Sequence, residues 1–451
     1  RASQVDVAAG MDGAISLTPE EVEGRNTWTF FTGGNERFWN LMAQEGYGLV
    51  DFLHLLDSRE RDTRFARLGL FTEPGMKAPT GPDEYGLYLD QVDDPLAGAL
   101  DPEVYGEPSG IIGLRIFPNP DFDEAAAERW DAERFYEETE YATDPFTVRP
   151  YRVGMTCAFC HVAPSPVNPP ENVEQPEWAE LSGTIGNQYF RNGEIFGFHR
   201  GSDDLFYHHL KSVLPGTVDT SIMATDYNNN PNIINAIYNI EDRLDVAWEH
   251  EVGDAAQLLA PHTETRRVPH VLVDGADNIG TIGALARVFI NIGVYSEEWL
   301  RAHNAILGGR PQKPIRIEAA LEKSIYWQAT VERMPNLARY LARAAEPFPL
   351  AEAPGGAAYL KEPVAMIEHG KQVFAENCYA CHSSKQPDMR WEQDITDLHG
   401  WSRDPEYLAW TREAVQKDDF REDNFFSTDE RIPITLVQTN AGRALQNNGT
   451  T

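Results

Sequence analysis

Cysteine is scarce in this chain. Four residues in 451 leave room for two disulfides at most. Basic residues are also few, with 38 Lys+Arg against 71 Asp+Glu and a formal net charge of −33. That balance argues against nucleic acid or an anionic membrane surface as partner. It favours cationic or neutral partners and an acidic, solvated surface that keeps an exported protein soluble. Long apolar runs are missing as well. None approaches the ~20 residues of a membrane helix. The most apolar stretch, Ile282 to Tyr295, is interrupted by Arg287 and Asn291. No signal peptide is visible at Arg1-Ala2-Ser3, and no internal repeat or low-complexity segment stands out.

What the chain does have is an unusual use of its few thiols. Cys157-Ala158-Phe159-Cys160-His161 and Cys378-Tyr379-Ala380-Cys381-His382 each read Cys-x-x-Cys-His, and together they consume all four cysteines. This is the attachment signature of a c-type haem. Two thiols on one turn can each form a thioether to a vinyl group, and the next residue, His161 or His382, then ligates the iron. Zinc is the serious rival, but a zinc ribbon separates its Cys pairs by roughly 15–20 residues. Here the gap runs from Cys160 to Cys378, and a histidine follows each pair. A thioredoxin-like pair leaves the second copy and both histidines unexplained. The expectation is two covalently attached haem c groups. Such attachment takes place outside the cytoplasm, so the expected location is periplasmic or secreted, with a leader already removed.

The length suggests two or three domains. The expected organisation is an N-terminal extension over 1–150, a first haem domain over 151–350 and a second over 351–451. The fold class is mainly α with long irregular loops, because 30 prolines and 35 glycines limit long elements. The extension holds an aromatic cluster, Thr27-Trp28-Thr29-Phe30-Phe31 with Phe38 and Trp39, read chiefly as core and secondarily as haem packing. Ile111 to Phe117 predicts a strand. Pro118-Asn119-Pro120-Asp121 predicts a helix start, and one charged surface helix is expected from about Asp123 to Tyr141.

The prolines after the first motif, Pro164 to Pro170, suit an extended chain along a haem edge. His199, His208 and His209 are candidate sixth ligands, though ordinary hydrogen-bonded roles suit any single one better. The amide cluster Asn228 to Asn239 reads as turns, with a bound Ca2+ as the second reading. A buried helix is expected within Asp277 to Leu307, and further helices at Ile317–Arg333 and Asn336–Ala345. Pro347 to Gly356 reads as a linker. The next helix, Pro363 to Glu376, feeds the second motif. Its Gly370, Phe374 and Cys378 share one face. Gly370 there allows a close helix crossing, and Phe374 packs the haem edge.

Together with the two motifs, three stretches carry a family resemblance: Gly283 to Gly293, Ser324 to Thr330 and Phe426 to Pro433. The chain resembles the bacterial di-haem cytochrome c peroxidase superfamily, and more closely the di-haem rubber (poly-isoprene) oxygenases. The resemblance implies a reactive N-terminal haem with an open face near a phenylalanine, and a C-terminal haem with two histidine ligands that passes electrons. It implies His161 as proximal ligand of the reactive haem and Phe289 as the apolar distal residue, with Arg287 or Trp327 near it. His382 becomes proximal ligand of the relay haem. The stretch after His382 is shorter than in those oxygenases, and His399 is its last histidine. Either His399 or an upstream histidine is then the sixth ligand, or that haem is ligated differently, or part of the tail is absent. The implied activity is an oxidoreductase acting on an apolar substrate or on peroxide. The alternatives are an electron-transfer cytochrome that docks a small electron-transfer protein, or an accessory cytochrome subunit.

Overall fold

A computed structural model describes residues 2–45, 50–216, 248–252, 265–269, 329–330, 332–344, 350–361, 363–422, 424 and 436. The chain divides into two compact units, one formed by residues 1–346 with 450–451 and the other by 347–449. The division falls at the Pro- and Gly-rich stretch that the sequence marks as a linker. Residue 150 divides nothing. The expected N-terminal extension and first haem domain share a single unit, because strands from both sides of that position pair with each other.

In the first unit, the helix Pro19–Phe30 begins as a capping box. The Thr18 hydroxyl accepts from Glu21 N–H, the Glu21 carboxylate accepts from Thr18 N–H, and Pro19 sits where its missing N–H costs nothing. This helix lies against the helix Met334–Ala344 at very short range. A Cβ on Gly24 would stand 2.0 Å from the Asn336 carbonyl oxygen, so only glycine permits the approach.

A three-stranded antiparallel sheet runs in the order Glu107–Pro108, Leu114–Pro118, Tyr151–Met155. Its register pairs Leu114 with Met155, Ile116 with Val153 and Pro118 with Tyr151. The strand predicted at Ile111 to Phe117 therefore starts at Leu114. Gly113 turns the chain just before it, with φ +87°. Outside the sheet, Trp248–Val252 pairs antiparallel with Thr265–Pro269. Among the described residues no sheet exceeds three strands, and no helix is long and apolar enough to cross a membrane.

The single charged helix expected over Asp123 to Tyr141 is three short ones, Glu124–Ala127, Ala132–Glu137 and Thr139–Ala142. The acidic residues that suggested a solvated helical face break it instead. Asp123 and Asp131 each accept a backbone N–H as N-caps, and Glu138 adopts extended φ/ψ between the last two pieces. The helix start placed at Pro118 to Asp121 accordingly moves to Asp123.

Buried charge pairs lock this unit. Arg149 holds Asp51 through two bonds of 2.7 and 2.9 Å. Arg115 meets Glu73 at 3.1 Å, and Arg61 and Arg64 share Asp90.

In the second unit, the helix Val364–Asn377 packs against the helix Pro405–Ala414. Their contact is built from Ala375, Tyr379, Ala414 and Val415, with Phe374, Trp410 and Phe420 closing it. Gly370 was expected at a close crossing, yet no atom lies within 4 Å of where its Cβ would be. The crossing lies one turn further along the helix, at Phe374 and Ala375. Phe374 itself packs edge-on against Tyr379 and Phe420.

Candidate functional site

The last strand of the sheet delivers the first motif. Directly after Met155, the Thr156 N–H donates to the Gly113 carbonyl at 2.8 Å, and the Thr156 hydroxyl donates to the Thr29 carbonyl at 2.8 Å. The chain then enters the single turn Ala158–His161. Its backbone presses on Gly113, where a Cβ would stand 2.2 Å from Phe159 N. His161 N–H donates to the Cys157 carbonyl at 3.0 Å. That i to i+4 bond stacks the first cysteine and the histidine on one face of the turn.

The second motif repeats this geometry in the other unit. His382 N–H donates to the Cys378 carbonyl at 2.9 Å, and Cys381 N–H to the same carbonyl at 3.2 Å. All four thiols are free of disulfides. Among the described residues no group of three or more His, Cys, Asp or Glu side chains is placed to hold a metal ion.

The first site is largely apolar. Cys157 packs against the cluster that includes Phe31, Trp178 and Leu181, and Cys160 against the cluster that includes Phe52, Phe159 and Phe190. Burial pushes both thiols up to about 12, with the neighbouring Cys160 adding to the rise at Cys157. A thiol–disulfide catalyst needs the opposite shift, toward thiolate. Burial also lowers His161, which keeps its imidazole in the neutral form that can ligate iron. The Trp28 ring lies against it, with centroids 5.4 Å apart and planes inclined by 46°. These features suit a covalent porphyrin: one turn carrying two unbridged thiols, a neutral histidine beneath them and apolar flanks. His382 at the second site is exposed, whereas His161 is half-buried.

The remaining candidates are dispersed. His199 sits deep in the first unit, with Nε2 3.0 Å from Asp51 Oδ2. His208 Nε2 is 2.6 Å from the Ser202 carbonyl, and the His209 side chain lies outside the described residues. His399 is exposed on the turn Leu398–Trp401, its Nε2 2.8 Å from the Leu436 carbonyl. Phe289, Arg287 and Trp327 lie outside the described residues, as do the Asn228 to Asn239 cluster and the apolar stretch from Ile282. The proline segment after the first motif is extended at its start, where Ala163–Pro164 pairs with Leu181–Ser182.

One polar cluster had no sequence signal. Asp51, His54, Arg149 and His199 meet in the interior, although 98 and 148 positions separate Asp51 from Arg149 and His199. Burial alone would raise the Asp51 carboxyl, but the Arg149 charge and the His199 hydrogen bond, with His54 nearby, hold it well below the usual range. Burial lowers His54 despite Asp51, and its Nδ1 has no hydrogen-bond partner.

No protein-family model, curated protein or solved structure matches this chain.

Proposed function

We propose that the chain is an exported di-haem c-type oxidoreductase, with a first haem on Cys157, Cys160 and His161 and a second on Cys378, Cys381 and His382. The observation that carries this reading is the matched pair of turns. Two segments more than 200 positions apart adopt the same hydrogen-bonded loop, each with unbridged thiols and a histidine one turn from the first cysteine. A bound haem c supplies a one-electron iron couple and, where its sixth position is open, a place for O2 or peroxide.

The chain's own residues differ between the sites in a way that favours a division of labour. Around the first motif, Cys157 packs against a buried apolar cluster that includes Phe31, Trp178 and Leu181, and Cys160 against one that includes Phe52, Phe159 and Phe190. His161 is held neutral there. An apolar, shielded site suits chemistry on a small oxidant or an apolar substrate. At the second motif the exposed His382 suits electron exchange with a docked carrier. The acidic surface, at −33, would draw a basic one.

The decisive measurement combines haem counting with spectroscopy on the purified protein. Pyridine haemochrome assay should give two haems per chain. Electron paramagnetic resonance should show one high-spin and one low-spin iron, and the reduced protein should bind CO at one site. Two low-spin signals with no CO binding would leave an electron carrier and remove the enzyme. Turnover assays with H2O2 and with poly-isoprene or other alkenes then separate peroxidase from oxygenase.

A further inference from the structure

The indole of Trp28 rests on the imidazole of His161, and an unusual amount of structure is spent on keeping it there. We propose that Trp28, clamped through Gly183 by Asp12, is a positioning residue for the His161 ring and thereby sets the properties of the first haem. This rests on the di-haem reading above.

A chain of four hydrogen bonds holds the indole. Its Nε1–H donates to the Gly183 carbonyl at 2.6 Å, and the ring is 9% exposed. The other side of the same peptide segment is also fixed. Gly183 N–H donates to Asp12 Oδ1 at 2.7 Å, and the Ser182 hydroxyl donates to the same oxygen at 3.0 Å. The remaining carboxylate oxygen of Asp12 accepts from the Tyr340 hydroxyl at 2.8 Å. Gly183 is sterically committed as well, since a Cβ there would stand 2.3 Å from that hydroxyl.

The clamp holds its own backbone in an unfavourable region. Asp12 and Ala14 have φ of +61° and +57°, and they are the non-glycine residues with positive φ among those described. Non-glycine residues are uncommon in this region, Asp less so than Ala, and such conformations gather at functional sites. Finally, the helix bearing Trp28 is tied to the motif by the Thr156 to Thr29 bond. The indole is thus fixed relative to the chain that carries Cys157, and not merely packed nearby.

The consequence follows from how axial histidines act. The orientation and donor strength of the ligating imidazole tune the iron's potential. A neighbouring ring that fixes the imidazole plane acts on that property without touching the iron.

The test uses the purified holoprotein. Haem content of wild type and variants is counted first, then the midpoint potentials of both haems are measured by spectroelectrochemistry, with electron paramagnetic resonance alongside. Trp28→Phe keeps an aromatic face and loses the N–H anchor. Asp12→Asn weakens the clamp from its far end. Trp28→Leu removes the ring contact. In Trp28→Leu the redox equilibrium of one haem should shift by about tenfold, or ~59 mV for one electron. The other haem should stay at its wild-type value. Trp28→Phe should fall between wild type and Trp28→Leu, and Asp12→Asn should move the same haem in the same direction. Wild-type potentials and g-values in a Trp28→Phe protein that retains both haems would overturn the inference and leave the di-haem reading standing. Absence of haem from the wild type would remove both.

Discussion

At the scale of single residues, the thiols and the buried charges make the sharpest statements. Replacing Cys157 and Cys160 together by Ala should lower the haem count from two to one and leave the second site loaded, because the two motifs sit in separate units. Loss of both haems in that variant would mean the sites are not independent. Arg149→Ala leaves Asp51 buried beside the histidines without its bidentate partner. Breaking a buried pair in this way costs about 3–5 kcal/mol, readable as a lower midpoint in urea unfolding. The same cluster gives a pH dependence. Burial depresses His54 in the folded state, so the unfolded chain takes up its proton first and stability falls as pH drops below about 6.5. Asp51 is depressed too, so its contribution is present above about pH 4 and is lost as pH falls through its folded pKa. Glu73, raised to about 7 by burial against the pull of Arg115, has the opposite sign. It favours the folded state most at low pH and loses that advantage as pH rises toward 7. The His54 contribution is therefore the difference between wild type and His54→Gln. That difference should narrow between pH 7 and 5, and a pH-independent difference would contradict the assignment.

Among the helices, two glycines make opposite predictions. Gly24 lies where the helices Pro19–Phe30 and Met334–Ala344 touch backbone to backbone, at the Asn336 carbonyl. Gly24→Ala gains about 1 kcal/mol of helix propensity and forces an atom to 2.0 Å from a carbonyl oxygen. The crowding should win, lowering stability by about 1–3 kcal/mol and reducing the melting temperature. Gly370 sits in the helix Val364–Asn377 with open space around it, so Gly370→Ala should stabilise the second unit by up to about 1 kcal/mol. A destabilising Gly370→Ala would restore the close crossing that its spacing suggested. The four-residue spacing of Gly370, Phe374 and Cys378 puts three residues on one face of the helix, but a shared face does not say what meets it. The partner helix meets Phe374, Ala375 and Tyr379, because the small Ala375 allows the approach and the aromatic rings fill the rest.

For the whole molecule, charge is the dominant property. At −33, encounter with a basic redox partner should be fast at low salt and slow steeply as ionic strength rises past ~0.1 M, where the screening length is about 10 Å. Stopped-flow exchange with a basic and with an acidic small cytochrome measures this, and equal rates for the two would mean that surface charge does not select the partner.

The sequence alone determined the features that depend on neighbours along the chain. Both Cys-x-x-Cys-His motifs make the same turn, whose bond from His to Cys spans only four residues. The linker after Ala345 and the helix into Cys378 were legible for the same local reason, through Pro and Gly and through helical periodicity. Tertiary structure decided everything that joins distant residues. Trp28 against His161, Asp12 against Gly183 and Tyr340, and Asp51 between Arg149 and His199 are each made across more than 90 positions by polar geometry that leaves no periodic trace. The charged stretch from Asp123 to Tyr141 misled for a related reason. Whether an aspartate solvates a helix face or caps and ends the helix depends on what its neighbours bury, and only the folded chain fixes that.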